Sequence, residues 1–72
     1  MDRYRREYLT ISHYDFERAH DILDRYYNRG DIENISVENN VRDFIVTIGL
    51  ECSTDDLLAL KAEFKNNGII VA

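Results

Sequence analysis

Strict alternation of apolar and polar residues near the start of the chain predicts a first β-strand over residues 7–14. Leu9 and Ile11 are apolar, whereas Thr10 and Ser12 beside them are polar. Because successive side chains of a strand point to opposite faces, Leu9 and Ile11 are expected to face a core and their neighbours an open surface.

The pattern then changes to the spacing of a helix, predicted from Phe16 to about Asn28. Asp15 is a candidate N-cap, and Gly30 stands where a glycine in the left-handed conformation commonly ends a helix. The apolar stripe of this helix comprises Phe16, Ala19, Leu23 and Tyr26, widened by Ile22 and Tyr27.

Residues 32–38 and about 41–50 predict a second and a third strand joined as a hairpin. Asn39-Asn40 between them is a plausible two-residue turn, because asparagine tolerates positive φ. In that register Ile35 faces Phe44, and paired residues share one face of the sheet. The core face would then hold Ile35, Val37, Phe44, Val46, Ile48 and Leu50. The same register turns Glu33 inward, so a β-bulge or a strand end is expected there.

A second helix is predicted after Ser53 or Thr54, either of which can cap it, and Asn67-Gly68 is expected to end it. Asp55 and Asp56 fall in its first turn, where the helix dipole favours acidic residues. Its stripe comprises Leu57, Leu60 and Phe64, joined by Leu58. The last four residues, 69–72, are apolar and predict a short fourth strand.

These elements, in the order βαββαβ, resemble the ferredoxin-like fold over residues 7–72. The resemblance implies an α+β domain in which a four-stranded antiparallel sheet, in the strand order 4-1-3-2, carries both helices on one face. The polar second strand and the short fourth strand would form the edges, as is common where sheets avoid uncontrolled pairing.

Seventy-two residues make a single domain with a small core. Cys52 is the only cysteine, so no disulfide is available and a reducing, cytoplasmic location is expected. No apolar stretch reaches the roughly 18–20 residues that a membrane span needs, so no membrane association is expected.

The net charge of −5 is unevenly distributed along the chain. Arg3, Arg5 and Arg6 form a basic arm over residues 1–6, whereas from Glu7 onward 13 acidic residues stand against 6 basic ones. Because attraction to phosphates supplies most non-specific affinity for nucleic acid, an acidic body predicts no nucleic-acid partner.

No motif predicts catalysis, a cofactor or a metal site. Cys52 precedes a helix N-terminus, but no histidine is near it in sequence, and Asp55 and Asp56 would raise its pKa. His13 and His20 lack the spacing of a metal site. The chain is therefore predicted not to be an enzyme.

The face of the sheet opposite the helices is the predicted site for a protein partner. By strand parity it presents Tyr8, Thr10, Ile45 and Thr47, and the acidic helix residues Asp21 and Asp24 form a second candidate surface. The favoured hypothesis is a small non-enzymatic interaction or regulatory domain that binds another protein, or a second copy as a homodimer. Short, acidic, proline-free chains of this kind are similar to bacteriophage accessory proteins, some of which inhibit host proteins.

Two alternatives use the same fold. One is an RNA-binding module, although Phe44 is assigned inward and only Tyr8 offers a ring on the open face. The other is an ACT-like domain that senses a small ligand, which a ligand-dependent rise in melting temperature would reveal.

Overall fold

The chain forms three strands and two long helices in the computed structural model, which describes residues 4–72. Residues 1–3, which include Arg3 of the predicted basic arm, lie outside the described residues. The elements are β1 (Arg5–Ser12), a 3₁₀ turn (His13–Asp15), α1 (Phe16–Asn28), β2 (Ile32–Asn40), β3 (Ile45–Cys52) and α2 (Thr54–Asn66). β1 thus begins at Arg5, within the residues predicted to form the arm.

Among residues 4–72, the sheet is antiparallel and has three strands in the order β1-β3-β2. The predicted four-stranded ferredoxin-like sheet is therefore wrong, although the domain is α+β. Residues 69–72 run beside β1 but share one backbone hydrogen bond with it, from Ala72 N to Thr10 O at 2.8 Å. A strand needs consecutive pairs, so an apolar segment with one such bond packs without extending the sheet.

The hairpin between β2 and β3 closes through residues 41–44, not through Asn39-Asn40 as predicted. Val37 pairs with Ile48, and Asn40 pairs with Ile45. The Asn40 side chain fixes this longer turn, because its Oδ1 accepts from the Asp43 backbone N–H at 3.2 Å. Asparagine side chains commonly stabilise turns in this way.

The predicted bulge is confirmed in β2. The register shifts between Glu33 and Ser36, and Asn34 within the bulge has φ of 53°. Glu33 is exposed, whereas Ile32 is buried. The extra residue therefore keeps the Glu33 carboxylate out of the core.

A single core lies between the helices and one face of the sheet. Val46, Ile48, Leu23 and Leu60, which were predicted to share it, are all at most 3% exposed. Phe44 was assigned to the same core but is 56% exposed in the hairpin turn, so that assignment is wrong. The other buried hydrophobic residues include Leu9, Ile11, Ala19, Ile22, Tyr26, Ile32, Leu50, Leu57, Phe64 and Ile69.

The helix ends largely follow the predicted signals. Ser53 caps α2, since its Oγ accepts from the Asp56 N–H at 3.2 Å, and Gly30 has the expected positive φ of 81° after α1. Asp15 does not cap α1 through its side chain. Its carboxylate instead accepts a hydrogen bond from Arg18.

An ion pair joins the two helices on their solvent side. Arg25 Nη2 donates to Glu63 Oε2 at 2.6 Å, and the Tyr26 hydroxyl lies 3.3 Å from Glu63 Oε1. The hydrogen bond from Arg25 is the main reason that the pKa of Glu63 lies below its usual value. Burial, followed by the Glu63 charge, raises the pKa of Tyr26.

The lowered pKa of Glu63 predicts a loss of stability in acid. A carboxyl group whose pKa is lower in the folded state stabilises the fold above its unfolded pKa, about 4.3. That stabilisation disappears as the pH falls through the folded pKa. Urea unfolding between pH 7 and pH 3 should therefore show a smaller decline in the unfolding free energy for Glu63→Gln than for the wild type. Equal declines in the two proteins would contradict the assigned role of the Arg25–Glu63 pair.

In the part of the chain that the structure describes, neither helix has the length and apolar character needed to cross a membrane.

Candidate protein-binding surfaces

The open face of the sheet brings together all four strand residues that the sequence singled out. Thr10 pairs with Thr47, Tyr8 pairs with Gly49, and Ile45 is opposite Ser12. Tyr8 is 64% exposed, while Thr10, Ile45 and Thr47 are half-buried. The helices pack on the other side, so this face is open to solvent.

A polar side chain covers one end of the open face. Arg6 extends from β1 across β3, and its guanidinium donates to the backbone oxygen of Asn34 and, at 2.7 Å, to Ser36 Oγ on β2. The same guanidinium lies 5.6 Å from the centre of the Tyr8 ring, within the range of a cation–π contact. Arg6 thus covers the sheet at the level of Tyr8 and Gly49, and the Thr10–Thr47 pair lies between Tyr8 and Ile45.

Gly49 makes this crossing of the sheet by Arg6 possible. A Cβ atom at position 49 would lie 2.6 Å from Ser36 Oγ and 2.8 Å from Arg6 Nη2. These distances are shorter than van der Waals contact, so any larger residue would displace the two side chains. The glycine therefore serves close packing over the sheet, a recognised reason for glycine within a strand.

Exposed apolar side chains gather at the hairpin end of the domain. The rings of Tyr14 and Phe44 are stacked with centroids 6.4 Å apart, and Tyr14 is 78% exposed. Phe44 also lines an adjoining depression of about 410 Å³, together with Thr10, Ile45 and Ile70. We call Thr10, Tyr14, Phe44, Ile45 and Ile70 the hairpin-end patch.

Phe44 is held in an unusual backbone conformation within this patch. Its φ is 56°, in the left-handed region that bulky residues rarely adopt. The His13 N–H donates to the Phe44 carbonyl at 2.8 Å and so continues the β1–β3 pairing up to the turn. The backbone geometry of the turn thus fixes an exposed aromatic ring beside Tyr14.

The second predicted surface lies on the exposed side of α1. Asp21 and Asp24 are both exposed, and Asp24 Oδ2 lies 3.7 Å from His20 Nδ1. A cleft of about 330 Å³ opens between the start of α1 and the distal half of β2, which is the half that leads into the hairpin turn. We call this space the α1–β2 cleft; it is lined by His13, Tyr14, Phe16, Glu17, Val37, Asn39 and Val46.

The residues considered for catalysis or metal binding, Cys52, His13 and His20, lie apart from one another. Cys52 is buried, and burial, followed by the charges of Asp56 and Glu7, raises the pKa of its thiol. His13 stacks edge-on against Tyr14, whereas His20 lies beside Phe16 on α1. Among residues 4–72, no group of three or more histidine, cysteine, aspartate or glutamate side chains is placed to hold a metal ion.

Three residues of the hairpin-end patch were missed by sequence reasoning. Phe44 was assigned to the core, Ile70 to a strand, and Tyr14 to the end of the first strand without a role. The Asn40-Val41-Arg42-Asp43 segment held the relevant signal, because asparagine and aspartate at its ends favour a four-residue turn. A turn at that position removes Phe44 from the β-ladder and exposes it.

Comparisons of the chain with protein-family models, curated proteins and solved structures found no match.

Proposed function

We propose that this chain is a small interaction domain that binds another protein through the hairpin-end patch. The observation that carries the proposal is the exposed Tyr14–Phe44 stack beside Ile45 and Ile70. Aromatic side chains with large exposed apolar area are enriched among residues that dominate binding energy at protein interfaces. The domain acts in this proposal by occupying its partner's surface and requires no catalytic group of its own.

The conformation of Phe44 supports a functional reason for the ring. The left-handed conformation costs an L-residue roughly 1–2 kcal/mol, and glycine or asparagine would adopt it more easily. Folding gains little from Phe44, whose side chain is 56% exposed. A costly and exposed aromatic residue is explained if its ring contributes to binding.

The patch extends the open-face site predicted from the sequence. Thr10 and Ile45 belong to both surfaces, and Tyr8 and Thr47 continue along the same face. Asp43 and Asp15 also line the depression beside Phe44. An apolar anchor of the partner, surrounded by polar or basic groups, would therefore complement this end of the domain.

Replacing Phe44 by glycine should separate binding from stability. Glycine adopts the positive φ without steric strain. This gain offsets the loss of the stack with Tyr14, which is worth about 0.5–1.5 kcal/mol. We expect the free energy of unfolding to stay within about 1 kcal/mol of the wild type, whereas partner affinity should fall about 30-fold or more. Urea denaturation measures the free energy of unfolding. Partner affinity is compared by cross-linking in the cells that produce the protein, followed by quantitative capture of the partners.

Leu58→Ala is the matched control, because Leu58 is also an exposed apolar residue, 60% exposed, but lies on α2. It should retain the same captured proteins as the wild type. Light scattering of both variants tests whether the partner is a second copy of the chain. If folded Phe44→Gly keeps its partners and its oligomeric state unchanged, the hairpin-end patch is not the binding surface.

A further inference from the structure

We propose that the free edge of β2 accepts an extended, lysine- or arginine-bearing segment of another protein as an added strand. Alternate side chains of that segment would enter the α1–β2 cleft, and the cationic side chains between them would lie on the open-face side, beside Glu33 and Glu38. This site shares Tyr14 with the hairpin-end patch but does not include Phe44, and it goes beyond the function proposed for that patch.

β2 presents an unpaired edge. Within the described residues it pairs only with β3, which leaves its other side without a strand. The bulge is confined to the segment between Glu33 and Ser36, and pairing is regular from Ser36 to Asn40. β2 also contains neither proline nor lysine, two residues that commonly block edge pairing. Its backbone is therefore suited to strand addition.

The α1–β2 cleft provides space for side chains of an added strand. Val37 has the strand parity of the core residues but remains 49% exposed, because α1 does not cover the distal half of β2. Phe16 and Val46 complete an apolar wall. A small apolar side chain of the added strand would pack in this cleft and bury apolar surface there. Because successive side chains of a strand point to opposite faces, the site should prefer a segment in which apolar and polar residues alternate.

The edge is bordered by carboxylates without a cationic partner. Glu17 lines the α1–β2 cleft, and Glu33 and Glu38 lie on β2. No lysine or arginine among residues 4–72 lies within 4.0 Å of these three carboxylates. Arg6 reaches β2 from β1 at Asn34 and Ser36, but its ion pair is with Glu51 on β3 at 3.7 Å. Such uncompensated charge attracts a cationic segment and disfavours an acidic one.

The arginines of α1 are directed away from this edge. Arg18 donates to the backbone oxygen of Asn67 at 2.5 Å, and Arg25 pairs with Glu63 on α2. Helix α1 therefore directs Arg18 and Arg25 towards α2 and the residues after it, whereas Glu17 lines the α1–β2 cleft. This asymmetry identifies a basic segment, rather than an acidic one, as the occupant.

The test uses a synthetic peptide of about nine residues in which lysine and valine alternate. Titration into the full chain at about 150 mM salt, followed by amide NMR, should show saturable binding with a Kd below about 1 mM. The largest shifts should fall on the amides of residues 36–40. The same peptide with N-methyl groups on alternate residues keeps its charge but loses one hydrogen-bonding edge, and should bind at least about ten-fold more weakly.

Two charge-matched variants assign the electrostatic contribution. Glu38 and Asp55 are both exposed acidic residues, but only Glu38 lies on β2, on the face where the lysines of the added strand would stand. We expect Glu38→Gln to weaken peptide binding about three-fold and Asp55→Asn to leave it unchanged. A peptide that alternates glutamate and valine should not bind.

Three results would overturn the proposal: no saturable binding of the lysine–valine peptide, equal binding of its N-methylated form, or shifts centred away from β2. Phe44→Gly should bind the lysine–valine peptide as the wild type does. Loss of natural partners in that variant, with peptide binding retained, would separate the hairpin-end patch from the β2 edge. Failure of one proposal is thus distinguishable from failure of the other.

Discussion

Phe64→Ala is expected to lower the free energy of unfolding by about 3–5 kcal/mol, the largest effect of any single substitution considered for this domain. Phe64 lies on α2, is fully buried, and is among the largest side chains of the core. Removing its ring leaves a cavity that the surrounding side chains cannot fill completely. A domain of this size has a stability of only a few kcal/mol, so the variant should be largely unfolded in mild urea.

Phe44→Ala is the matched control, because the substitution is the same but the ring is exposed. We expect it to cost less than about 1 kcal/mol, mainly through the lost stack with Tyr14. Urea denaturation followed by circular dichroism gives both values. If Phe44→Ala proved as destabilising as Phe64→Ala, the exposed turn at residues 41–44 would be wrong and Phe44 would belong to the core.

The error over Phe44 shows what strand parity can and cannot determine. A two-residue turn at Asn39-Asn40 and the observed turn at residues 41–44 both contain an even number of residues. Either turn places Val37, Val46 and Ile48 on the same face. The sequence could therefore predict which side chains of β3 face the core. It could not predict which residues of β2 pair with them, since the pairing depends on the Asn40–Asp43 contacts that close the turn.

The absent fourth strand has a related cause. Ile69 is buried and Ile70 is 81% exposed, so the alternation that suggested a strand is present. Alternation reports which side chains are buried, but a strand also needs a series of backbone partners. The segment after Gly68 has one such bond to β1. Sequence periodicity alone could not distinguish these two arrangements.

Helix α1 was predicted with its observed limits because several local signals agree. Its apolar stripe is regular, and Gly30 takes the left-handed conformation that ends it. The candidate surfaces were less predictable. Thr10 and Ile45 could be assigned from parity, but the exposure of Tyr14 and the α1–β2 cleft depend on how far α1 extends over β2, which is a property of tertiary packing.

Ala19→Leu is expected to destabilise the domain by about 1–3 kcal/mol through overpacking. Ala19 is on the buried side of α1 and is 0% exposed, within the core that also contains Ile22 and Leu23. Cores are packed at nearly crystalline density, so a side chain with three additional carbons must displace its neighbours. The denaturation midpoint in urea should fall, while the m-value stays close to that of the wild type.

Ala62→Leu on α2 controls for the change in helix propensity, because Ala62 is exposed and the substitution is identical. Alanine and leucine differ little as helix formers, so this variant should stay within about 0.5 kcal/mol of the wild type. A folded Ala19→Leu variant with unchanged stability would mean that the contact between α1 and the sheet is loose. The α1–β2 cleft would then lack fixed walls, because α1 supplies Phe16 and Glu17 to it. The destabilisation caused by Ala19→Leu therefore also measures how firmly the fold holds Phe16 and Glu17 beside the edge of β2.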